Sequence, residues 1–324
     1  MLQRICLSLL SCVLPFLAWI APVRAADWPD HPVTIIVPFG PGGNTDMMAR
    51  LAAQDLTVKF GQNFIIENRP SPGGAIGTRL VANAAPDGYT LLFCASSMIT
   101  LTPQIEKLDF DPVKQLEPIT NVGTGAQAIA IKRSLPATNL AEFLAYAKAN
   151  PGKLNFTTAG TQNLSHFSPV RLFATAGVDV VMVPARAEPQ AISDLLSGVA
   201  DIYFGNASAV LPLTKNDNVR VIAVSTPQRL AAFPDIPTIA ETVPGFESSS
   251  WNGFLAPTGT PPAIVEAIRN EITAFVNTPE ISARLNGLGI IPGGMTKEQI
   301  AAAFQREHDA YASAIKVVGI PSSD

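Results

Sequence analysis

Two stretches of this chain have residue types that could hold a ligand: Gly40-Pro-Gly-Gly-Asn-Thr-Asp46 and Thr158-Ala-Gly-Thr-Gln-Asn-Leu-Ser-His166. Each sets small and polar residues between a strand-like run and a helical pattern. Glycines there let backbone approach a ligand, and the start of a helix offers unbonded N–H groups at its positive end. Asp46, in the first turn, also favours the helix. Ser96-Ser97 follow a third strand-like run and add hydroxyls at the same edge. Arg186, in Val183-Pro-Ala-Arg-Ala-Glu188, follows a strand of the second half. Opposed helix starts and hydroxyls, without a cluster of basic groups, suit a small carboxylate held by neutral donors. The same residues also suit tight turns with capped helices, a structural hydrogen bond from His166 and a surface arginine at 186.

Chemistry on the ligand finds little support. The chain has no G-x-S-x-G, no H-E-x-x-H, no Gly-Lys-Ser/Thr and no full G-x-G-x-x-G. Its histidines, His31, His166 and His308, are far apart in sequence. A triad need not be local, so an exported α/β hydrolase stays as a rival reading. Cys94 lies in the apolar run Tyr89–Ala95 and reads as a buried, inert thiol; without a second mature cysteine it forms no internal disulfide. No metal or other cofactor is implied.

The elements that must position these loops alternate. Val33–Phe39 is an apolar run fit for a strand buried on both faces. Asp46–Phe60 is a helix stopped by Gly61, Phe64–Glu67 a strand, Gly73–Ala84 a helix and Tyr89–Ala95 a strand. A second α/β unit follows, with its own sheet: strands at Ala128–Ile131, Leu154–Thr158, Val180–Val183, Ala200–Phe204 and Val219–Ser225, and helices at Leu140–Ala149, Ser165–Thr175 and Pro189–Ser197. Trp251–Ala256 is a further strand, with Trp251 read as a hinge-packing aromatic. Helices at Ala263–Asn277 and Lys297–Lys316 end the chain. A middle unit flanked by the halves of another requires two crossings, placed near Val122–Ala126 and Ser248–Gly253. The expected fold is α/β, two doubly wound lobes with a ligand cleft between them.

Composition agrees. The 324 residues are 47% hydrophobic and 15% charged, enough apolar material for two cores. A net charge of −4 with no basic block argues against nucleic acid as a partner. Arg4, the 16-residue apolar run Ile5–Ile20 and Val23-Arg24-Ala25 read as a secretory signal peptide cleaved after Ala25. Cys12 sits inside that run, which argues against a lipidation site. The mature chain would carry 20 basic and 26 acidic residues, net −6.

Trp28-Pro-Asp-His-Pro-Val-Thr-Ile-Ile-Val-Pro-Phe-Gly-Pro-Gly-Gly-Asn-Thr-Asp46 resembles the start of the Bug family, the TctC-like extracytoplasmic solute receptors of tripartite tricarboxylate transporters. Glu67-Asn-Arg-Pro70, Gly73-Gly74, Pro86-Asp-Gly-Tyr-Thr-Leu91, Ala147-Lys-Ala-Asn-Pro-Gly-Lys153, Phe233-Pro-Asp-Ile-Pro-Thr238 and Trp251 extend the resemblance over essentially the whole mature chain. It implies a type II periplasmic-binding fold and a carboxylate ligand. It implies ligand contacts from Phe39, Pro41, Gly42, Gly43 and Asp46, and from Thr161, Asn163 and His166; Asn44, Ser96, Ser97, Gln162, Arg186 and Asn206 complete the candidate set. Known ligands of the family include citrate, amino acids, nicotinate-like compounds and aromatic carboxylates such as terephthalate.

Two departures fall where ligand identity should be decided. The family often has tyrosine, lysine and glycine after Val-Pro, where this chain has Ala185-Arg186-Ala187. Gln162 stands where glycine is common. Arg186 could neutralise a distal carboxylate, which fits a di- or tricarboxylate, aromatic ones included. The expectation is a monomeric periplasmic receptor, with lobes 26–123 plus 249–324 and 124–248. It would serve the membrane subunits of a tripartite transporter, or else a carboxylate-sensing system.

Overall fold

Short apolar strands alternate with amphipathic helices, as the periodicity predicts. The computed structural model describes residues 28–318; the expected leader, 1–25, lies outside them. The first half runs β1 (Val33–Val37), α1 (Asn44–Phe60), β2 (Phe64–Asn68), α2 (Ala75–Ala82) and β3 (Thr90–Ala95). Three single-turn helices, α3 (Ser97–Thr100), α4 (Thr102–Ile105) and α5 (Pro112–Gln115), lead into β4 (Leu116–Lys132). The second half is α6 (Leu140–Ala149), β5 (Asn155–Ala159), α7 (Leu164–Ala176), β6 (Val181–Ala185), α8 (Glu188–Ser197), β7 (Ile202–Asn206), α9 (Ala207–Val210) and β8 (Val219–Val224). The chain then returns through β9 (Ser249–Pro257), α10 (Pro262–Val276), α11 (Pro279–Gly287), β10 (Ile290–Pro292) and α12 (Lys297–Val318).

The strands are ordered β2-β1-β3-β9-β4-β7-β5-β6, with β8 and β10 also paired to β4. β1 is parallel to β2 and β3, and β5 is parallel to β6 and β7, as βαβ crossovers require. β9 is antiparallel to β3, and β4 is antiparallel to each of its partners.

This corrects one expectation. The two α/β units do not have separate sheets: β4 runs through both as a single 17-residue strand. Glu117, Pro118, Asn121, Gly123 and Gly125 break the apolar pattern over its first half, so only its Ala128–Ile131 end reads as a strand in sequence. Register shifts at Pro118/Thr120 and Asn121/Gly123 absorb the irregular residues. The start of β9 lies against the middle of β4, with Thr124 opposite Trp251 and Ala126 opposite Ser249. Both connections between the halves are therefore neighbouring strands of one ladder. α11 and β10 also escape the sequence reading.

Each half has its own core. Val33, Ile35, Val37, Met48, Leu56, Phe93, Phe254 and Ile268 pack together under α1 and α10. Ile129, Phe143, Phe156, Leu172 and Phe204 form the centre of the second half. Cys94 is fully buried on β3, and burial pushes its thiol far above the usual range, which fits an inert side chain. Trp251 is buried with its ring 5.3 Å from Phe304 of α12. Among the described residues no helix is long and apolar enough to cross a membrane.

Candidate functional site

The carboxyl ends of β1, β3, β5, β6 and β7 converge on one cavity of about 70 Å³ between the halves, the place where open α/β sheets bind ligands. Phe39, Gly40, Gly43, Asn44 and Thr45 line it from the β1–α1 loop, and Ala95 and Ser97 from the end of β3. Ala159, Asn163, Leu164 and Ser165 line it from the β5–α7 loop, Arg186, Ala187 and Glu188 from the β6–α8 loop, and Asn206 from β7. Gln127, Ser250 and Asn252 contribute from the two connecting strands.

The starts of α1 and α7 are finished differently. Asn163 caps α7, its Oδ1 accepting from the His166 N–H at 3.3 Å and the Ser165 hydroxyl at 2.8 Å. That leaves the Leu164 and Ser165 amides, at the cavity wall, among the N–H groups a helix start cannot satisfy within itself. α1 begins after Gly43, which has no side chain to cap it. Its first N–H, of Asn44, instead donates to Glu188 Oε2 at 2.7 Å, a carboxylate from the opposite half. Glu188 is buried, and its Oε1 accepts from Tyr203 Oη and Asn206 Nδ2, both at 2.8 Å. Burial raises the Glu188 pKa above the ordinary carboxylate value; the hydrogen bonds from Asn44, Tyr203 and Asn206 pull the other way without cancelling it. Ser208 Oγ donates to Asn44 Oδ1 at 2.7 Å, a second contact between the halves.

Seven of the sequence-predicted residues line the cavity: Phe39, Gly43, Asn44, Ser97, Asn163, Arg186 and Asn206. The others are placed next to it, each with another task. Asp46 turns its carboxylate back: Oδ2 accepts from the Gly42 N–H and Arg50 Nε at 2.9 Å each, and Oδ1 from Asn68 Nδ2 at 2.9 Å. Burial alone would raise its pKa, but these donors outweigh it and hold the carboxyl below the usual range. Asp46 thus braces the glycine loop, while Pro41 and Gly42 border an outer groove with Arg50 and Arg284. Thr161 and Gln162 point their carbonyls at the other half, where Gly73 N–H and Thr102 Oγ1 donate to them at 3.2 and 3.3 Å. Gln162 is the one non-glycine with positive φ among the described residues, at 58°, a conformation glycine adopts more easily. His166 Nδ1 accepts from the Gln162 N–H at 3.2 Å; burial lowers the ring's pKa and favours the neutral form that can accept. Ser96 Oγ is 3.0 Å from Ser250 Oγ. His31 stacks on Tyr89 with centroids 3.7 Å apart, and among the described residues no group of His, Cys, Asp and Glu could hold a metal ion.

Sequence reasoning missed Glu188, Gln127, Ser250 and Asn252. The last three sit on the connecting strands: the β4–β9 register brings Ser250 and Asn252 to the cleft, and the β4–β7 register sets Gln127 opposite Asn206. Glu188 ended the quoted Arg186 stretch, but an acid in a first helical turn needs no explanation beyond the dipole.

Residues 48–320 match the family model for the tripartite tricarboxylate transporter family receptor. The chain belongs to this family. Its receptors are solute-binding proteins, and none of their roles is enzymatic. The solved structure of Rpa4515 from R. palustris with adipate is 31% identical, covers 91% of this chain and 99% of its own, and superposes with a TM-score of 0.87. The periplasmic binding protein BugD is 29% identical over 90% of this chain and 99% of its own, with a TM-score of 0.84. MatC from Rhodopseudomonas palustris with bound malate is 28% identical over 89% and 100%, with a TM-score of 0.82. As in these receptors, the fold is two α/β lobes with the cleft between them.

One half-buried acid behind the cleft is expected to make this receptor's stability depend on pH. Thr100 Oγ1 of α3 donates to Glu307 Oε2 of α12 at 3.0 Å. Burial lifts the Glu307 carboxyl from its ordinary 4.5 to about 7, against the pull of Ser96, Thr100 and Arg306. The folded chain therefore holds a proton that the unfolded chain has lost between those two values, and stability falls as pH rises through that window, by up to about 3 kcal/mol. Glu307→Gln is expected to raise the melting temperature at pH 8 by about 5 °C and to leave pH 4 nearly unchanged. Thermal unfolding at both pH values measures this; the same pH slope in both proteins would contradict it.

Proposed function

We propose that this chain captures a small organic carboxylate in the periplasm and presents it to the membrane subunits of a tripartite transporter. The carrying observation is Arg186. Among the described residues it is the only cation lining the cavity, and its guanidinium makes no ion pair. A guanidinium presents a planar fork of N–H donors that fits a carboxylate, and charge-assisted pairs are stronger than neutral hydrogen bonds. The unbonded amides at the start of α7 supply neutral donors beside it. The adipate and malate held by Rpa4515 and MatC are carboxylates, which supports the same reading.

The moving bodies are taken as residues 26–123 with 249–324, and 124–248, hinged where β4 and β9 run side by side. Closure would bring Glu188 onto Asn44 and the Gln162 carbonyl onto Thr102. The receptor acts as a monomer, exported by a leader cleaved after Ala25. Thermal unfolding with saturating mono-, di- and tricarboxylates and amino acids tests the reading: a solute at about 100 times its Kd adds about 2.7 kcal/mol of stability. A screen in which no carboxylate moves the transition would count against it.

A further inference from the structure

Resting on the carboxylate reading, we infer that Glu188 sets the specificity of the cleft: it selects a solute that carries one carboxylate and, a few ångströms away, a hydrogen-bond donor such as an ammonium or hydroxyl, and it rejects a second carboxylate there. Glu188 is the only anion lining the cavity among the described residues, and it is 6% exposed. A carboxylate has about four acceptor positions. Three are filled, by the Asn44 N–H at 2.7 Å and by Tyr203 Oη and Asn206 Nδ2 at 2.8 Å each. The Asn206 backbone N–H also pulls on this carboxylate; a donor from the solute would meet it at Oε2, which accepts from Asn44. The Asn44 N–H can only donate, so Glu188 occupies with its own oxygen a position that a ligand carboxylate would otherwise take at the start of α1.

The geometry beside it is complementary. Ala187, between Arg186 and Glu188, is extended, with φ −154° and ψ 163°. Alternate side chains of an extended segment leave on the same side, about 7 Å apart. One short loop therefore offers the cleft a cation and an anion side by side, without an ion pair between them among the described residues. Arg186 alone argues for a second carboxylate on the solute. With Glu188 next to it, that carboxylate would face a buried like charge, which is unfavourable where water cannot screen it. A donor at the same place is attracted by that charge and can hydrogen-bond to it.

Calorimetric titration of the mature chain with matched probes tests this: butanoate, succinate and 4-aminobutanoate, then hexanoate, adipate and 6-aminohexanoate. The wild-type chain is expected to bind the amino acid at least tenfold more tightly than the diacid at the length that fits. Glu188→Gln, nearly identical in shape, should erase or reverse that ratio. Glu188→Asp, which keeps the charge, should keep its sign and shows whether a loss in the glutamine variant reflects charge or folding. A diacid that binds more tightly than the amino acid in wild type, or a ratio that Glu188→Gln leaves unchanged, would overturn the inference while the carboxylate reading stands. Failure of all six probes to bind at millimolar concentration would overturn the carboxylate reading itself.

Discussion

Replacing Arg186 with alanine is expected to weaken binding of the receptor's carboxylate by about 2 kcal/mol, roughly thirty-fold in Kd. The residue lines the cavity and is not committed to any carboxylate of the protein among the described residues. Its backbone N–H is tied to Gln190 Oε1 at 3.2 Å, so the loop has an anchor that does not need the guanidinium. Removing the side chain should therefore cost affinity without unfolding the loop. Because Arg186 is exposed on one side, the loss is set at the scale of a hydrogen bond to a charged group and not at that of a fully buried pair. Arg186→Lys should recover only part of it, since a point charge replaces a planar fork. Calorimetry on the three proteins decides it; equal affinity in wild type and Arg186→Ala would place the guanidinium outside the binding site.

The largest expected effect on stability is at Gly253. This residue lies on β9 between two strands, opposite Cys94 of β3 and Asn121 of β4. A Cβ there would stand 2.4 Å from the Thr120 carbonyl oxygen and 2.6 Å from Asn121 Cα, both backbone atoms. Neither can retreat without opening the ladder that joins the two lobes. Gly253→Ala is expected to cost about 3 kcal/mol, roughly 10 °C in melting temperature. Gly125→Ala, on the neighbouring strand, is the control: its nearest neighbour would be Asn44 Nδ2 at 3.7 Å, an ordinary contact. Urea unfolding of the two variants should separate them clearly, and equal midpoints would mean that β9 shifts easily against β4. The neighbours of Gly253, Asn252 and Ser250, line the cleft, so the same substitution should also reduce stabilisation by solute.

What was legible in the sequence was local. The change from period-2 apolar runs to helical spacing located both loops, and Asn163, Asn44 and Gly43 follow from where a helix must start. Asp46 was equally legible as a first-turn acid, yet its carboxylate serves Gly42, Arg50 and Asn68. Type and spacing cannot tell an acid that braces a loop from one that faces a ligand. β4 was hidden for another reason: polar residues and glycines are tolerated in its first half because β9 pairs along it, while β10 covers the other edge at Gly123, Thr124 and Gly125. Glu188 was hidden because its partner, Asn44, is 144 residues away. Only the contact between the two halves makes that carboxylate part of the site. The same long-range pairing explains why Gln127, Ser250 and Asn252 carried no signal.

The central claim, that the cleft recognises a carboxylate through Arg186 and the open start of α7, is tested most directly by charge-matched calorimetry. The carboxylate giving the largest thermal shift is titrated beside its primary amide, which keeps the shape and one acceptor oxygen but removes the charge. The account predicts that the amide binds about a hundredfold more weakly, about 2.7 kcal/mol, because the guanidinium loses its counter-charge. An amide that binds within threefold of the carboxylate would contradict it and make the cleft a site for neutral solutes.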